Sequence, residues 1–275
     1  NGVILITTKG GGFKNIKDNF EARVYSGISR VAHFVDLLET PKYLALRKQA
    51  FGNDGVVPTA NNARDLLLWD QERNTNWQEV FFGKSAPTFN ANLIYSGGGE
   101  NTSYSIGASY FKQGSVFPGD YSFEKKTVNL NLNHQSVNQK FLLNFSSNYG
   151  INNNDLFSSN NFVSLALRLA PNAPEIYNND GTLNWENSTW SNPFAVLESE
   201  GKLNSNTLVT NIGLQYRLTK DLSLKANLGY NHLDSEENIL LPIQLYNPAI
   251  WNFVVNRSQH SFVQRKSWIA EPQLN

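Results

Sequence analysis

The residues that could do chemistry are sparse. His33, His134, His232 and His260 are scattered along 275 residues, and no two have the spacing of a metal-ligand pair. Cysteine is absent, which excludes a disulfide framework, a thiolate nucleophile and zinc–thiolate ligation. Gly10-Gly11-Gly12 runs into Phe13-Lys14-Asn15, without the Lys-Ser/Thr of a phosphate loop or the second glycine of a dinucleotide turn. No Gly-x-Ser-x-Gly elbow presents a serine nucleophile. Asn178-Asn179-Asp180-Gly181 lacks the leading acid of a calcium loop. Asp234-Ser235-Glu236-Glu237 has carboxylates enough for an adventitious calcium ion. We read no active site and expect a protein that is not an enzyme and needs no cofactor. What remains is recognition by flat aromatic faces, for which Trp185, Trp190, Tyr246 and Trp251 are the candidates. Such faces pack on the apolar patches of a sugar or peptide. The competing use of the same rings is to fold their loops or meet a partner.

These aromatics need elements to hold them, and the clearest elements are strands. Across Lys126–Gly150, Val128, Leu130, Leu132 and His134 alternate with Asn129, Asn131, Asn133 and Gln135. After Ser136-Val137-Asn138 the alternation resumes, with Phe141, Leu143, Phe145 and Tyr149 against Asn144, Ser146, Asn148 and Gly150. A period of two places each set on one face of a strand. Each arm is about ten residues, the length a tilted strand needs to cross a bilayer. The polar set is Asn, Ser and Gly rather than Lys and Glu, as a wet, uncharged interior would have. His134 and His232 fall on the apolar set at strand ends, where a half-buried polar ring suits a membrane interface.

The whole composition agrees. Charged residues are 17% and balanced, 23 basic against 23 acidic, so no bulk charge points to nucleic acid. Aromatics are 12%, and no apolar run approaches the ~18 residues of a spanning helix. The chain lacks Met and begins at Asn1, which we read as a processed chain or an internal fragment.

Asn1–Lys9, NGVILITTK, is a β-branched run ending in a glycine triplet, a strand followed by a joint. It resembles the end of the plug domain in the SusC/RagA family of TonB-dependent outer-membrane transporters. The resemblance continues at Leu37-Leu38-Glu39-Thr40-Pro41-Lys42-Tyr43, Asn76–Phe81, Ser96–Thr102, Leu169–Pro174, Asp180-Gly181 and Asn192-Pro193. It implies residues 1–12 as the end of the plug and 13–275 as the first part of the barrel. It further implies an all-β, antiparallel up-and-down transmembrane β-barrel segment, about eight strands of a 22-stranded barrel. The family's partners would be a SusD-like surface lipoprotein, the TonB–ExbB–ExbD complex through a segment outside this chain, outer-membrane lipid, and an oligosaccharide or peptide substrate. A self-contained eight-stranded outer-membrane barrel and a soluble carbohydrate-binding β-protein are the alternatives.

In chain order the pattern predicts strands over Phe20–Ile28, Phe89–Ser96, Ser103–Tyr110, the two arms above, Leu208–Tyr216, Leu222–Tyr230 and Phe262–Ala270. Thr40-Pro41 opens a helix with Thr as its cap, packing a stripe of Tyr43, Leu44, Leu46 and Ala50. Asp65–Trp69 and Asn160–Ala170 read as further helical turns. Trp77, Phe81 and Phe82 pack their own loop down. Short links near 97–102, 136–139 and 219–221 alternate with longer ones after 28, 110, 150 and 233. A transmembrane barrel has this alternation because one rim carries tight turns and the other functional loops.

Overall fold

The computed structural model describes residues 16–157 and 161–275. The plug-like run and glycine joint of residues 1–12 lie outside the described residues. Eight strands, β1 (Ile16–Ser29), β2 (Ala86–Gly98), β3 (Thr102–Gly114), β4 (Ser122–Gln135), β5 (Phe141–Leu156), β6 (Glu200–Arg217), β7 (Ser223–Leu241) and β8 (Arg257–Leu274), form one sheet in sequence order. Every neighbouring pair is antiparallel. β1 and β8 are the two edges, so the sheet is open rather than a closed eight-stranded ring.

Register carries the two faces across the sheet without a break from β2 to β8. Leu93 pairs with Ala108, Ile106 with Leu130, Leu132 with Phe145, Ile212 with Leu228 and Leu228 with Ala270. On the other face Asn92 pairs with Ser109, Asn131 with Ser146, Asn129 with Asn148 and Gly213 with Asn227. A slip of one residue would reverse every side chain, so this pattern fixes the register. β1, whose sequence is ambiguous, resolves the same way: Phe20, Ala22 and Val24 join the apolar face, while Arg23 and Tyr25 pair with Asn92 and Asn90. The hydroxyls of Ser147 and Thr210 fall on the apolar face and bond each other at 3.0 Å, which gives each a partner within the sheet.

The long connections, 30–85, 115–121, 157–199 and 242–256, all leave the same end of the sheet, and tight turns close the other. In the long connections stand four helices: α1 (Thr40–Asn53), α2 (Arg64–Leu67), α3 (Trp77–Phe82) and α4 (Phe162–Arg168). No helix among the described residues is long and apolar enough to cross a membrane. The buried apolar side chains lie in these connections, with Ala86 at the start of β2 the exception among the described residues. Trp77, Phe81, Phe157, Phe162, Ile176, Trp190 and Phe194 form the main cluster. Phe81 sits at its centre, 4.4 Å from the Phe162 ring centroid and 5.1 Å from that of Phe194. The protein thus has its packed core beside the sheet's end, and a sheet whose apolar face is bare: Phe20 is 66% and Trp268 78% exposed.

Several sequence expectations are corrected. Thr40 is the first helical residue rather than the cap. Its hydroxyl donates to the Arg73 carbonyl (2.6 Å), and its N–H donates to Asn74 Oδ1 (3.0 Å), so a distant side chain satisfies this end of α1. Leu46 and Ala50 are exposed, and the helix packs instead through Leu44, with Tyr43 and Phe51, against Ala63 and Leu66. Strand pairing also runs farther than the apolar alternation. The long connection expected after 150 is only 157–199, because Asn152 to Asn154 continue β5 against Leu203 to Ser205. The stretch expected over 234–261 shrinks to 242–256, because Asp234 to Leu240 pair with Ser258 to Gln264. Polar ends of strands hide the ladder from a reading based on hydrophobic period.

Candidate functional site: an outer-loop cleft beside an aromatic-belted sheet

The apolar face is banded. Toward the loop end it carries Phe89 and Tyr110, toward the turn end Tyr95, Tyr104, Phe141 and Tyr216, while Tyr149, Tyr230 and Trp268 stand farther along their strands from either rim. Phe89 and Tyr110 have ring centroids 6.0 Å apart, and Tyr95 and Tyr104 5.7 Å. Six residues separate the bands along β2, roughly 20 Å of strand. Aliphatic side chains fill the interval. His134 stands at the turn end of β4, its Nδ1 2.8 Å from Thr102 Oγ1, but His232, expected at a strand end, lies mid-strand because β7 runs on to Leu241; it is 3.0 Å from Asp234. The opposite face is a wall of amides, hydroxyls and glycines in which Asn148 bonds Asn129 and Asn152 bonds Ser205. An apolar band between two aromatic girdles, backed by a polar face, is the composition of a membrane-spanning barrel wall.

Above the loop end, connections 157–199 and 242–256 enclose an open cleft of about 780 Å³. Both walls are built the same way. Asn192 precedes Pro193 and accepts from the Phe194 N–H (2.9 Å); Asn247 precedes Pro248 and accepts from the Ala249 N–H (3.0 Å). Each Asn-Pro pair therefore caps a short six-residue 3₁₀ helix. The Asn192 amide also donates to the Ile176 (2.6 Å) and Asn184 (2.9 Å) carbonyls, and the Asn247 amide reaches across to Ser188 Oγ at 2.9 Å. The rim turn Glu186–Ser188 is left-handed at three successive non-glycine residues, with φ of 42°, 52° and 67°. Such conformations cost of order 1 kcal/mol each and persist where neighbours over-determine them. Here the Asn184 side chain accepts from the Glu186 N–H (2.8 Å) and donates to its carboxylate (3.2 Å), while Thr189 Oγ1 donates to the Glu186 carbonyl (2.7 Å).

The structure separates the four aromatic candidates. Trp185 and Trp251 line the cleft. Tyr246 stands behind Trp251, its carbonyl accepting from the Trp251 indole N–H (2.8 Å) and its hydroxyl from Arg257 (3.1 Å). Trp190 is 7% exposed, packed edge-on to Trp69 and tilted against Trp77, with its N–H on the Asn184 carbonyl (2.9 Å). Tyr177, unmarked in the sequence, joins the cleft. Burial, then the nearby Glu198 carboxylate, raises its phenol pKa, which keeps the hydroxyl a donor. The Asp234–Glu237 carboxylates lie on β7, where alternation puts Asp234 and Glu236 on one face and Glu237 on the other. Among the described residues no cluster of three His, Asp or Glu side chains could hold a metal ion.

The segment Leu169–Pro174 works as a clasp. The Ala170 carbonyl accepts the Trp77 indole N–H (2.8 Å), the Pro171 carbonyl accepts the Thr75 N–H (2.8 Å), and buried Asn172 donates to the Asp65 carbonyl (2.8 Å). It joins connections 30–85 and 157–199. Beneath it Asp65 bridges α2 to α1, accepting from Arg47 Nε (2.6 Å) and the Tyr43 hydroxyl (2.9 Å).

Sheet, belts and loop crown together define an open segment of an up-and-down β-barrel. No family model matches the chain. It is 27% identical over 243 residues to TonB-dependent receptor P3 of Formosa agariphila, covering 84% of this chain and 22% of that protein. To TonB-dependent receptor P26 of the same organism it is 29% identical over 203 residues, covering 71% and 19%. The chain thus spans about a fifth of the length of these relatives. Its fold matches that of the RagAB peptide importer in the closed-closed state, with a TM-score of 0.74 over 96% of this chain and 33% of that one at 17% identity. A further RagAB peptide transporter structure gives 0.72 over 98% and 33% at 19% identity. The chain is similar in sequence to two TonB-dependent receptors and shares the fold of the RagAB structures, in line with the resemblance read in the sequence.

Proposed function

We propose that this chain forms part of the wall and outer-loop crown of a TonB-dependent importer in the outer membrane of a Gram-negative bacterium. The observation that carries the reading is the exposed, aromatic-rich apolar face set against an amide-lined face. The apolar face meets lipid and the amide face lines the barrel interior. The connections 30–85, 157–199 and 242–256 face outward, where they meet an oligosaccharide or peptide and a SusD-like surface lipoprotein. Energy comes from TonB–ExbB–ExbD, and residues 1–12 close the plug ahead of the barrel at 13–275. The names of the relatives, TonB-dependent receptors, and of the structural neighbours, a peptide importer, support this assignment.

The test is uptake by cells carrying the whole receptor. Disabling TonB should abolish accumulation of a labelled nutrient while leaving surface binding intact. Accumulation that continues unchanged without TonB would refute the import reading. Replacing Trp185 and Trp251 should lower uptake without changing the amount of receptor in the outer membrane.

A further inference from the structure

We propose that the cleft between 157–199 and 242–256 is a binding site for a short uncharged oligosaccharide. This deepens the import reading and rests on it only for where the ligand goes next. The cleft's volume, about 780 Å³, lies within the range of small-ligand sites. Its aromatic lining, Trp185, Trp251 and Tyr177, offers flat surfaces to pyranose rings. The indole N–H of Trp251 is already spent on the Tyr246 carbonyl, so that ring is fixed in place and offers stacking surface rather than a donor. Between the rings stand groups suited to hydroxyls: the Gln244 amide, Asn187, the Tyr177 phenol and the Glu186 carboxylate. Among the described residues no Lys, Arg or His lines the cleft, while Glu186 and Glu198 do, which leaves sulfated or uronate chains without a counter-charge.

Backbone bonding argues for a glycan over a peptide. A peptide held in extended form needs a row of free N–H and C=O groups along a strand edge. Here the walls spend theirs internally: Asn178 N–H on the Thr182 carbonyl, Gly181 on Asn178, Ser188 on Trp185, Thr189 on Glu186 and Ile250 on Asn247. What the cleft offers is side chains, held rigid by the left-handed rim turn and the Asn247–Ser188 bond across it. Preorganised aromatic faces and polar tips suit a ligand that presents ring faces and hydroxyls.

The experiment uses the whole receptor in detergent, titrated with uncharged hexaoses of glucose (α- and β-linked), mannose and xylose. A lysine-containing hexapeptide and a hexauronate are run beside them, with calorimetry and tryptophan fluorescence as readouts. At least one uncharged hexaose should bind. Trp251→Ala and Trp185→Ala should each weaken it about tenfold. Trp251→Phe, which keeps a ring, should lose much less, and Trp268→Ala on the apolar face should change nothing. Heat-dependent mobility on gels reports whether each variant is folded. Binding of the peptide or the hexauronate alone, binding of nothing, or binding indifferent to both tryptophans would overturn the proposal. The two readings fail separately. TonB-dependent uptake of a peptide with no hexaose bound would remove the glycan and leave the importer. Hexaose binding in the cleft without energised uptake would do the reverse.

Discussion

Phe81→Ala tests whether the loop crown is a folded unit with its own core. Phe81 is fully buried on α3, and its ring meets Phe162 from α4, Phe194 from the turn before β6, and Trp77 and Phe82 from its own helix. Truncating such a ring costs about 3–5 kcal/mol through lost transfer energy and the cavity left behind. That is roughly two to three and a half orders of magnitude in the equilibrium for opening the crown. The strands contribute nothing to this cluster apart from their ends, so their ladder should not register the change. Hydrogen exchange on the receptor in lipid nanodiscs reads both regions at once. Amides in α3, α4 and 169–199 should exchange faster by a factor of that size, while β2 to β7 keep their protection. Phe253→Ala, at an 87% exposed ring, is the control and should do neither. If the crown amides are unmoved, or the strands lose protection with them, the crown is not an independently packed unit.

Further expectations concern single contacts. Burial pushes the Asp65 carboxyl upward, but hydrogen bonds from Arg47 and Tyr43 outweigh it and hold its pKa below the usual range. A depressed folded pKa means the stabilisation is present above the unfolded value near ~3.9 and is lost as pH falls through the folded one. Protection of α1 should therefore stay level from neutral pH down to about 4 and fall only below it; loss near pH 6 would contradict this. Asp65→Asn should loosen α1 by about 1–2 kcal/mol at neutral pH, since Arg47 is a third exposed and water replaces part of the lost pair; unchanged exchange in α1 would count against the bridge. Gly98→Val should block folding of the β2–β3 turn, because a Cβ there would lie 2.5 Å from the Thr102 carbonyl oxygen and 2.9 Å from Ser103 Cα. Gly99→Ala, with open space around it, should be tolerated, and folded yield from heat-dependent gel mobility compares the two.

The sheet was legible in the sequence because alternation is a direct image of a two-faced wall. Val128 to His134 and Phe141 to Tyr149 show their faces residue by residue. The strand ends were not, because Asn152–Asn154 and Asp234–Asn238 are polar on both faces and only backbone pairing makes them strands. In the crown, Trp77 and Phe81 read correctly as packing residues, and their type sufficed. The cap of α1 did not: Asn74 lies 34 residues from Thr40 and its role exists only after the loop has folded. Trp190 carries the same signal as Trp185 and Trp251, and only tertiary position sends it to the core and them to the cleft. Asn172, Asn184, Asn192 and Asn247 organise the loops through backbone bonds that leave no periodic trace. Asn192-Pro193 and Leu169–Pro174 could be noticed as family-like segments, but their work as cap and clasp could not.

The central claim is that one face of this sheet meets lipid and the other an aqueous interior. Leu228 and Asn227 are adjacent on β7 and point to opposite faces; Leu130 and Asn131 do the same on β4. A fluorophore placed singly at each of the four positions in the whole receptor, reconstituted in bilayers, can be challenged with a lipid-soluble quencher. The account predicts strong quenching at 228 and 130 and little at 227 and 131. Equal quenching at all four, or none at 228 and 130, would contradict it.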